Sequence, residues 1–181
     1  MSKSFPNHRG HGRYAPDDYR TPDPLFEGLD ARFGPFTLDA AASEENAKCD
    51  DFFTVETNGL FQQWSHDRIW LNPPWHSIDP WIDKCLIAAE LGSEVTLLLP
   101  ARTGTKWFGK VIKRAESIHF IRGRVAFHGP HSPEGGKSIE DCCVVRITHI
   151  GLELKKTGLP TAIHLMNIQG ETVTEQGWLA L

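Results

Sequence analysis

Leu25, Phe26, Leu29 and Phe33 recur at three- and four-residue intervals, the spacing of one buried helix face, and Gly34 closes the run. Thr21-Pro22-Asp23 supplies a start: a hydroxyl cap, proline at the first helical position and an acid in the first turn. Phe36 to Asp39 reads as a short strand leading into the small residues Ala40-Ala41-Ala42-Ser43, and Asn58-Gly59-Leu60 as a turn. Arg68 to Leu71 is a second strand. Ile78, Trp81, Ile82, Cys85, Leu86 and Ala89 then mark a helix capped by Ser77 and closed by Gly92. Val95 to Leu99 is an almost unbroken apolar run, the mark of a strand buried on both faces. Thr103 or Thr105 begins a basic helix that ends near Arg114, and Ser117 to Ile121 is strand-like. Val125 to Phe127 and Cys142 to Ile147 look like the arms of a hairpin joined by a Gly/Pro-rich loop, 128–138. From Gly151 onward the pattern predicts one strand, Ala162 to Ile168, and a loose tail.

Helices alternating with strands and ending in a hairpin predict a three-layer α/β fold with a mostly parallel sheet. In such sheets ligands bind at the carboxyl ends of strands, where Asp39 and Asn72 both fall. The 181 residues suit one domain, expected over 21–181 with no separate recognition domain, preceded by a flexible arm at 1–20. That arm is polar, with His8, Arg9, His11 and Arg13, and reads as neither signal peptide nor anchor; no apolar stretch has the length of a membrane span. Cys49, Cys85, Cys142 and Cys143 show no C-x-x-C spacing, so reduced thiols in a cytoplasmic protein are expected and no metal site is.

Chemistry enters at Asn72-Pro73-Pro74-Trp75, directly after the strand Arg68–Leu71. The exocyclic amine of a nucleobase is a poor nucleophile because its lone pair is conjugated into the ring. The Asn72 side-chain oxygen and the Pro73 carbonyl could accept hydrogen bonds from such an NH2 and stabilise the positive charge that grows as it attacks a methyl group. Consecutive prolines hold φ near about −65°, so the acceptors are placed beforehand. Trp75 offers a face for a planar base, a contact of roughly 1–3 kcal/mol. The alternative is an ordinary Pro-Pro turn carrying a surface Trp.

The net charge of −4 argues against a protein that coats nucleic acid and permits one that touches DNA through a local basic patch. Arg102, Lys106, Lys110, Lys113 and Arg114 form such a run with no acid among them, and Lys106, Lys110 and Lys113 share a helix face. Charge runs are usually solvated surface, but this one follows the strand end Leu97-Leu98-Leu99-Pro100, on the expected rim of the site, which favours phosphate contact. Trp64, Trp70 and Trp81 read as core, because large aromatics dominate burial.

Taken together and in order, several segments resemble the S-adenosylmethionine-dependent DNA amino-methyltransferases, most closely the small phage-type (Dam-like) DNA N6-adenine methyltransferases. The matching parts are Thr21-Pro22 with Leu25-Phe26, Phe36 to Ser43 with Asn46, Asp51-Phe52-Phe53, and Gly59-Leu60 with Trp64. Asn72 to Trp75 with Trp81-Ile82, Leu98-Leu99-Pro100 and Gly123 to Phe127 complete them. The resemblance spans about residues 20 to 148. It implies a Rossmann-like methyltransferase fold, S-adenosyl-L-methionine as cofactor, and transfer of a methyl to N6 of a flipped adenine in double-stranded DNA.

It further implies that Thr21, Pro22 and Phe26 lie at the cofactor, and that Asp39, Ala40 and Ala41 form the cofactor turn. Asp51 and Phe52 would hold the cofactor's adenine, and Asn72, Pro73, Pro74 and Trp75 the catalytic loop. Arg102, Lys106, Lys110, Lys113 and Arg124 would contact DNA. A phage- or prophage-encoded enzyme acting in the cytoplasm of its bacterial host would follow, and a domain this small could dimerise on a duplex. The chain departs from the family pattern in having alanines for the Gly-x-Gly loop, eleven residues (40–50) between Asp39 and Asp51, and Asn58 where an acid is usual. Other acceptors suit the same loop: cytosine N4, an RNA base or a glutamine amide. So does a non-catalytic DNA- or partner-binding protein on this scaffold.

Overall fold

The computed structural model describes residues 19–129, 132–138 and 140–173. Most of the predicted arm, including His8, Arg9, His11 and Arg13, lies outside the described residues, as does the end of the predicted tail from 174.

Helix α1, Asp23–Phe33, carries the Leu25/Leu29 stripe. Its cap differs from expectation. Pro22 occupies the N-cap position, its carbonyl accepting from Leu25 and Phe26, and the Thr21 hydroxyl does not cap; Thr21 is buried instead. Strand β1, Leu38–Asp39, is followed by β2, Asp51–Phe52, and β3, Arg68–Leu71. Helix α2, Asp79–Glu90, starts after Ile78 with no side-chain cap, so Ser77 is not its cap; Gly92, at φ 107°, provides the left-handed turn that closes it. Strand β4, Glu94–Pro100, leads to helix α3, Lys106–Arg114, where Thr105 accepts from the Phe108 N–H.

Strand β5, Ser117–Ile121, is followed by β6, Ala126–Gly129, β7, Ser132–Lys137, and β8, Cys142–Ile147. Here the structure corrects the expected hairpin. β6 pairs antiparallel with β7 in a separate two-stranded sheet, while β8 enters the main sheet between β4 and β5. The apolar run of β8 is what an interior strand needs, and an exposed hairpin would have wasted it. A helix that the pattern missed, α4, His149–Lys156, follows, capped by the Thr148 hydroxyl at the Gly151 N–H (2.9 Å). Gly151 reads as a helix breaker, yet here it permits close packing: a Cβ there would lie 2.6 Å from Glu116 Cβ. Strand β9, Ala162–Met166, ends before the expected Ile168, and the chain turns back so that Val173 bonds Leu165.

The main sheet has the order β2-β1-β3-β4-β8-β5-β9, and only β8 runs against the others. Leu38, Ile69, Leu71, Val95, Leu97, Leu99, Cys143 and Val145 face α2, α3 and α4 in one apolar layer. Trp70, Leu98, Cys142 and Val144 face α1 in the other. This is the expected three-layer α/β fold, with adjacent Cys142 and Cys143 on opposite faces and all four cysteines free. Trp64, Trp70 and Trp81 are buried, as their size predicts. No helix among the described residues is long and apolar enough to cross a membrane.

Candidate active site

The strand order reverses at β1. From β1 the chain steps outward to β2, then returns to the other side of β1 as β3 and continues to β4. The carboxyl ends of β1 and β3 therefore diverge around a crevice, the switch point where α/β sheets bind ligands. Parallel pairing of Asp39 with Trp70, extended by Ala40 N–H to the Trp70 carbonyl (3.0 Å), sets the chain leaving β1 beside the chain leaving β3. The crevice is lined by Tyr19, Arg20, Thr21, Asp39, Ala41, Asn46, Lys48, Trp70 and Asn72.

Asn72 has a fixed orientation. Its Nδ2 donates to the Tyr19 carbonyl (3.1 Å), and its Oδ1 accepts from the Trp75 indole N–H (3.2 Å). A carbonyl only accepts and an indole N–H only donates, so both partners demand the same choice of amide oxygen and nitrogen. Oδ1 keeps a second lone pair for another donor. Trp75 is half-buried and meets Phe127 of β6 edge to face, ring centroids 5.2 Å apart. Arg102 fastens the loop from behind by donating to the Trp75 carbonyl (3.0 Å).

Asp39 lies on the crevice floor, 3% exposed. Its carboxylate accepts from the Lys48 N–H (3.1 Å) and the Ala41 N–H (3.4 Å), which folds the eleven-residue connection back over it without a crossover helix. The Lys48 ammonium reaches away to Asp23 at the start of α1. Burial, only partly offset by these two backbone N–H groups, pushes the Asp39 carboxyl up to about 6. A buried carboxylate raised in this way, opening onto a crevice, suits a cationic group arriving from outside.

Ala40 is fully buried, and its carbonyl is closely approached by the turn at Asn58-Gly59: a Cβ on Gly59 would lie 2.3 Å from Ala40 O. Gly59→Ala is therefore expected to cost about 1–3 kcal/mol and to displace the β1 turn. Urea unfolding would read the first effect, and a weaker cofactor Kd the second.

The remaining predicted residues divide. Thr21 and Ala41 line the crevice beside Asp39 and Asn72, while Pro22 starts α1 and Phe26 packs on Trp70 and Phe36. Asp51 and Phe52 lie on the edge strand β2, and Asp51 is exposed and paired with His66 (3.1 Å) rather than lining the crevice. Of the basic residues, Arg124 follows β5 and pairs with Asp141 (3.4 Å), and Lys106 opens α3 after β4; both leave the carboxyl-end edge of the sheet, and neither lines the crevice. Lys110 is held by Asp79 and Asp83 of α2 (2.8 Å each), and Lys113 stands at the far end of α3 beside His149 and Lys155. The structure does not bring Lys110 or Lys113 to the crevice.

Tyr19, Arg20, Asn46, Lys48 and Trp70 line the crevice without having been singled out as site residues. Tyr19 and Arg20 fell within the predicted arm, yet Arg20 bridges to His128 of β6 and ties the entering chain across the crevice.

A family model for DNA N-6-adenine-methyltransferase (Dam) matches residues 12–155. A DNA N-6-adenine-methyltransferase of Escherichia phage T1 is 33% identical over 174 residues, covering 85% of this chain and 72% of that protein. One from Haemophilus phage HP1 is 32% identical over 114 residues, covering 61% of this chain and 66% of its own. With the switch-point crevice and the Asn72-Pro73-Pro74-Trp75 loop at its mouth, these matches show that the chain belongs to the DNA N-6-adenine-methyltransferase (Dam) family.

Proposed function

We propose that this protein transfers a methyl group from S-adenosyl-L-methionine to the N6 amine of an adenine flipped out of double-stranded DNA. The observation that carries the reading is the amide of Asn72, oriented by Trp75 and Tyr19 at the mouth of the crevice that Asp39 floors. S-adenosylmethionine, when bound, supplies an electrophilic methyl on a sulfonium and a cationic amino-acid end. The Asp39 carboxylate fits that cation, since among the described residues it takes two backbone N–H groups while the nearby ammonium of Lys48 turns to Asp23. Ala40 and Ala41 are small enough to let the backbone approach, with Thr21 and Pro22 beside them; Phe26, Asp51 and Phe52 complete the cofactor-binding reading.

Asn72 Oδ1 and the Pro73 carbonyl accept the two N–H bonds of the target amine, so the charge growing on nitrogen meets two fixed dipoles. Pro74 keeps the loop rigid, and the exposed part of the Trp75 ring takes the flipped base. The amine's proton leaves late, to water. Arg102, Lys106, Lys110, Lys113 and Arg124 were the expected DNA contacts; the exposure of Lys106 and Arg124 on the carboxyl-end edge of the sheet favours these two for phosphate.

Titrating S-adenosylmethionine into the protein by calorimetry, then adding unmethylated duplex DNA and following labelled methyl, tests the reading. Binding followed by transfer is expected. Binding of DNA without either step would favour a non-catalytic protein on this scaffold.

Asp39 also sets a pH dependence. Its raised carboxyl must ionise to hold a cation, so cofactor affinity should weaken by about tenfold between pH 7.5 and pH 5, with proton release on binding near pH 6. Folding stability responds oppositely: the desolvated charge penalises the native state above about pH 6 and is relieved as pH falls toward the ordinary value of 3.8. Calorimetry in buffers of different ionisation enthalpy measures the proton count, and Asp39→Asn should abolish it.

A further inference from the structure

The Arg102 guanidinium makes directed contacts with Glu140 and Trp75. Its Nε donates to Glu140 Oε2 (2.6 Å), one terminal nitrogen donates to Glu140 Oε1 (2.5 Å), and the other donates to the Trp75 carbonyl (3.0 Å). Glu140 is itself held, because its backbone N–H and carbonyl both bond the Ser138 hydroxyl (3.1 and 2.7 Å) just beyond β7. The Arg102 guanidinium keeps the Glu140 carboxyl below its usual range. From the other side, Phe127 of β6 meets the Trp75 ring, and Trp75 orients the Asn72 amide. Phe127 of β6 and Glu140 of the connection from β7 to β8 therefore both reach the Asn72–Trp75 loop, one through an aromatic contact and one through the Arg102–Glu140 fork.

We infer that Arg102 is a positioning residue of the methyl-transfer reaction, not a phosphate contact: with Glu140 it clamps the Trp75 carbonyl to the connection between β7 and β8 and so holds the Asn72 amide in its reactive orientation. The inference rests on the proposed methyl transfer for its kinetic consequence, but its structural core does not. A planar guanidinium is required, since three donors must point at two carboxylate oxygens and one carbonyl at once; lysine supplies the charge without the fork.

The test uses Arg102→Ala, Arg102→Lys, Glu140→Ala and the double alanine variant of the full chain. First, hydrogen exchange of the Trp75 indole N–H, assigned by its loss in Trp75→Phe, needs no activity. It is expected to accelerate about tenfold or more in both single alanine variants; unchanged exchange overturns the inference whether or not the protein methylates anything. Second, once wild-type transfer is established, both single alanine variants should lose kcat by a similar factor, with the KM for S-adenosylmethionine unchanged. The double variant should be no worse than either single one, because they break one clamp. Arg102→Lys should behave like Arg102→Ala.

A phosphate contact gives the opposite pattern. Arg102→Ala would weaken DNA binding and shallow the salt dependence by about one ion, Arg102→Lys would largely restore both, and Glu140→Ala would leave kcat intact. That result overturns the inference and leaves the methyltransferase reading standing. Absence of transfer by the wild-type protein would instead refute the reading, with the exchange data still deciding the clamp.

Discussion

Asn72→Ala is expected to lower the single-turnover rate of methyl transfer by about 10²- to 10³-fold, the usual cost of deleting one preorganised hydrogen-bonding group at a centre of developing charge. Cofactor affinity should change little, because the Asp39 floor and the β1 turn do not depend on the amide. The size of the effect follows from fixation. The Asn72 oxygen is already oriented by Trp75, and its nitrogen is anchored on the Tyr19 carbonyl, so no reorganisation is needed as charge grows on the amine. Asn72→Asp keeps an acceptor oxygen facing the Trp75 N–H but sets its second oxygen against the Tyr19 carbonyl, which can only accept. It should retain much more activity than the alanine variant. Equally low rates for the two substitutions would show that an acceptor oxygen at position 72 is not sufficient and that the donation to Tyr19 carries the effect.

The largest stability effect is expected at Trp70. Its ring is almost fully buried between α1 and the sheet, edge-on to Phe26 (5.5 Å) and tilted against Phe36 (5.8 Å), with Leu98 in the same layer. Trp70→Ala leaves a large cavity in the thinner of the two apolar layers, where α1 is the sole covering helix among the described elements, and should cost about 3–5 kcal/mol. That is a large fraction of the stability of an ordinary domain. Because Trp70 lines the crevice and pairs with Asp39, the crevice should loosen as well. Urea unfolding measures the first consequence and the cofactor Kd the second. Trp70→Phe, which keeps an aromatic ring in the layer, should lose clearly less of both.

The elements nearest the crevice were the ones most legible in the sequence. Arg68 to Leu71 and the α2 stripe from Ile78 to Ala89 carry strong local patterns, and the Asn72-Pro73-Pro74-Trp75 loop follows a strand by simple adjacency. The partner of Cys142–Ile147 was not legible: a strand buried on both faces has no polar side to reveal its neighbours, and its insertion between β4 and β5 is a property of the whole sheet. Gly151 hid α4, since the need for a close approach to Glu116 has no local sign.

The partners of the basic run were not legible either. Lys110 belongs to an unbroken basic run, but Asp79 and Asp83, one helical turn apart on α2, stand opposite it only after folding. Arg102 fell in the same run, although its guanidinium is engaged by Glu140 and the Trp75 carbonyl. Tyr19 looked like part of a polar arm because a backbone carbonyl contributes to the site and leaves no trace in residue type.

The most direct test of the central claim is the identity of the methylated nucleoside. Unmethylated duplex DNA is incubated with S-adenosylmethionine and either the wild-type protein or Asn72→Ala, digested completely, and analysed by mass spectrometry. N6-methyladenine should accumulate with the wild type and fall by at least about a hundredfold with the variant. Methyl groups on cytosine N4 would contradict adenine as the target, and equal N6-methyladenine from both proteins would contradict the role assigned to Asn72.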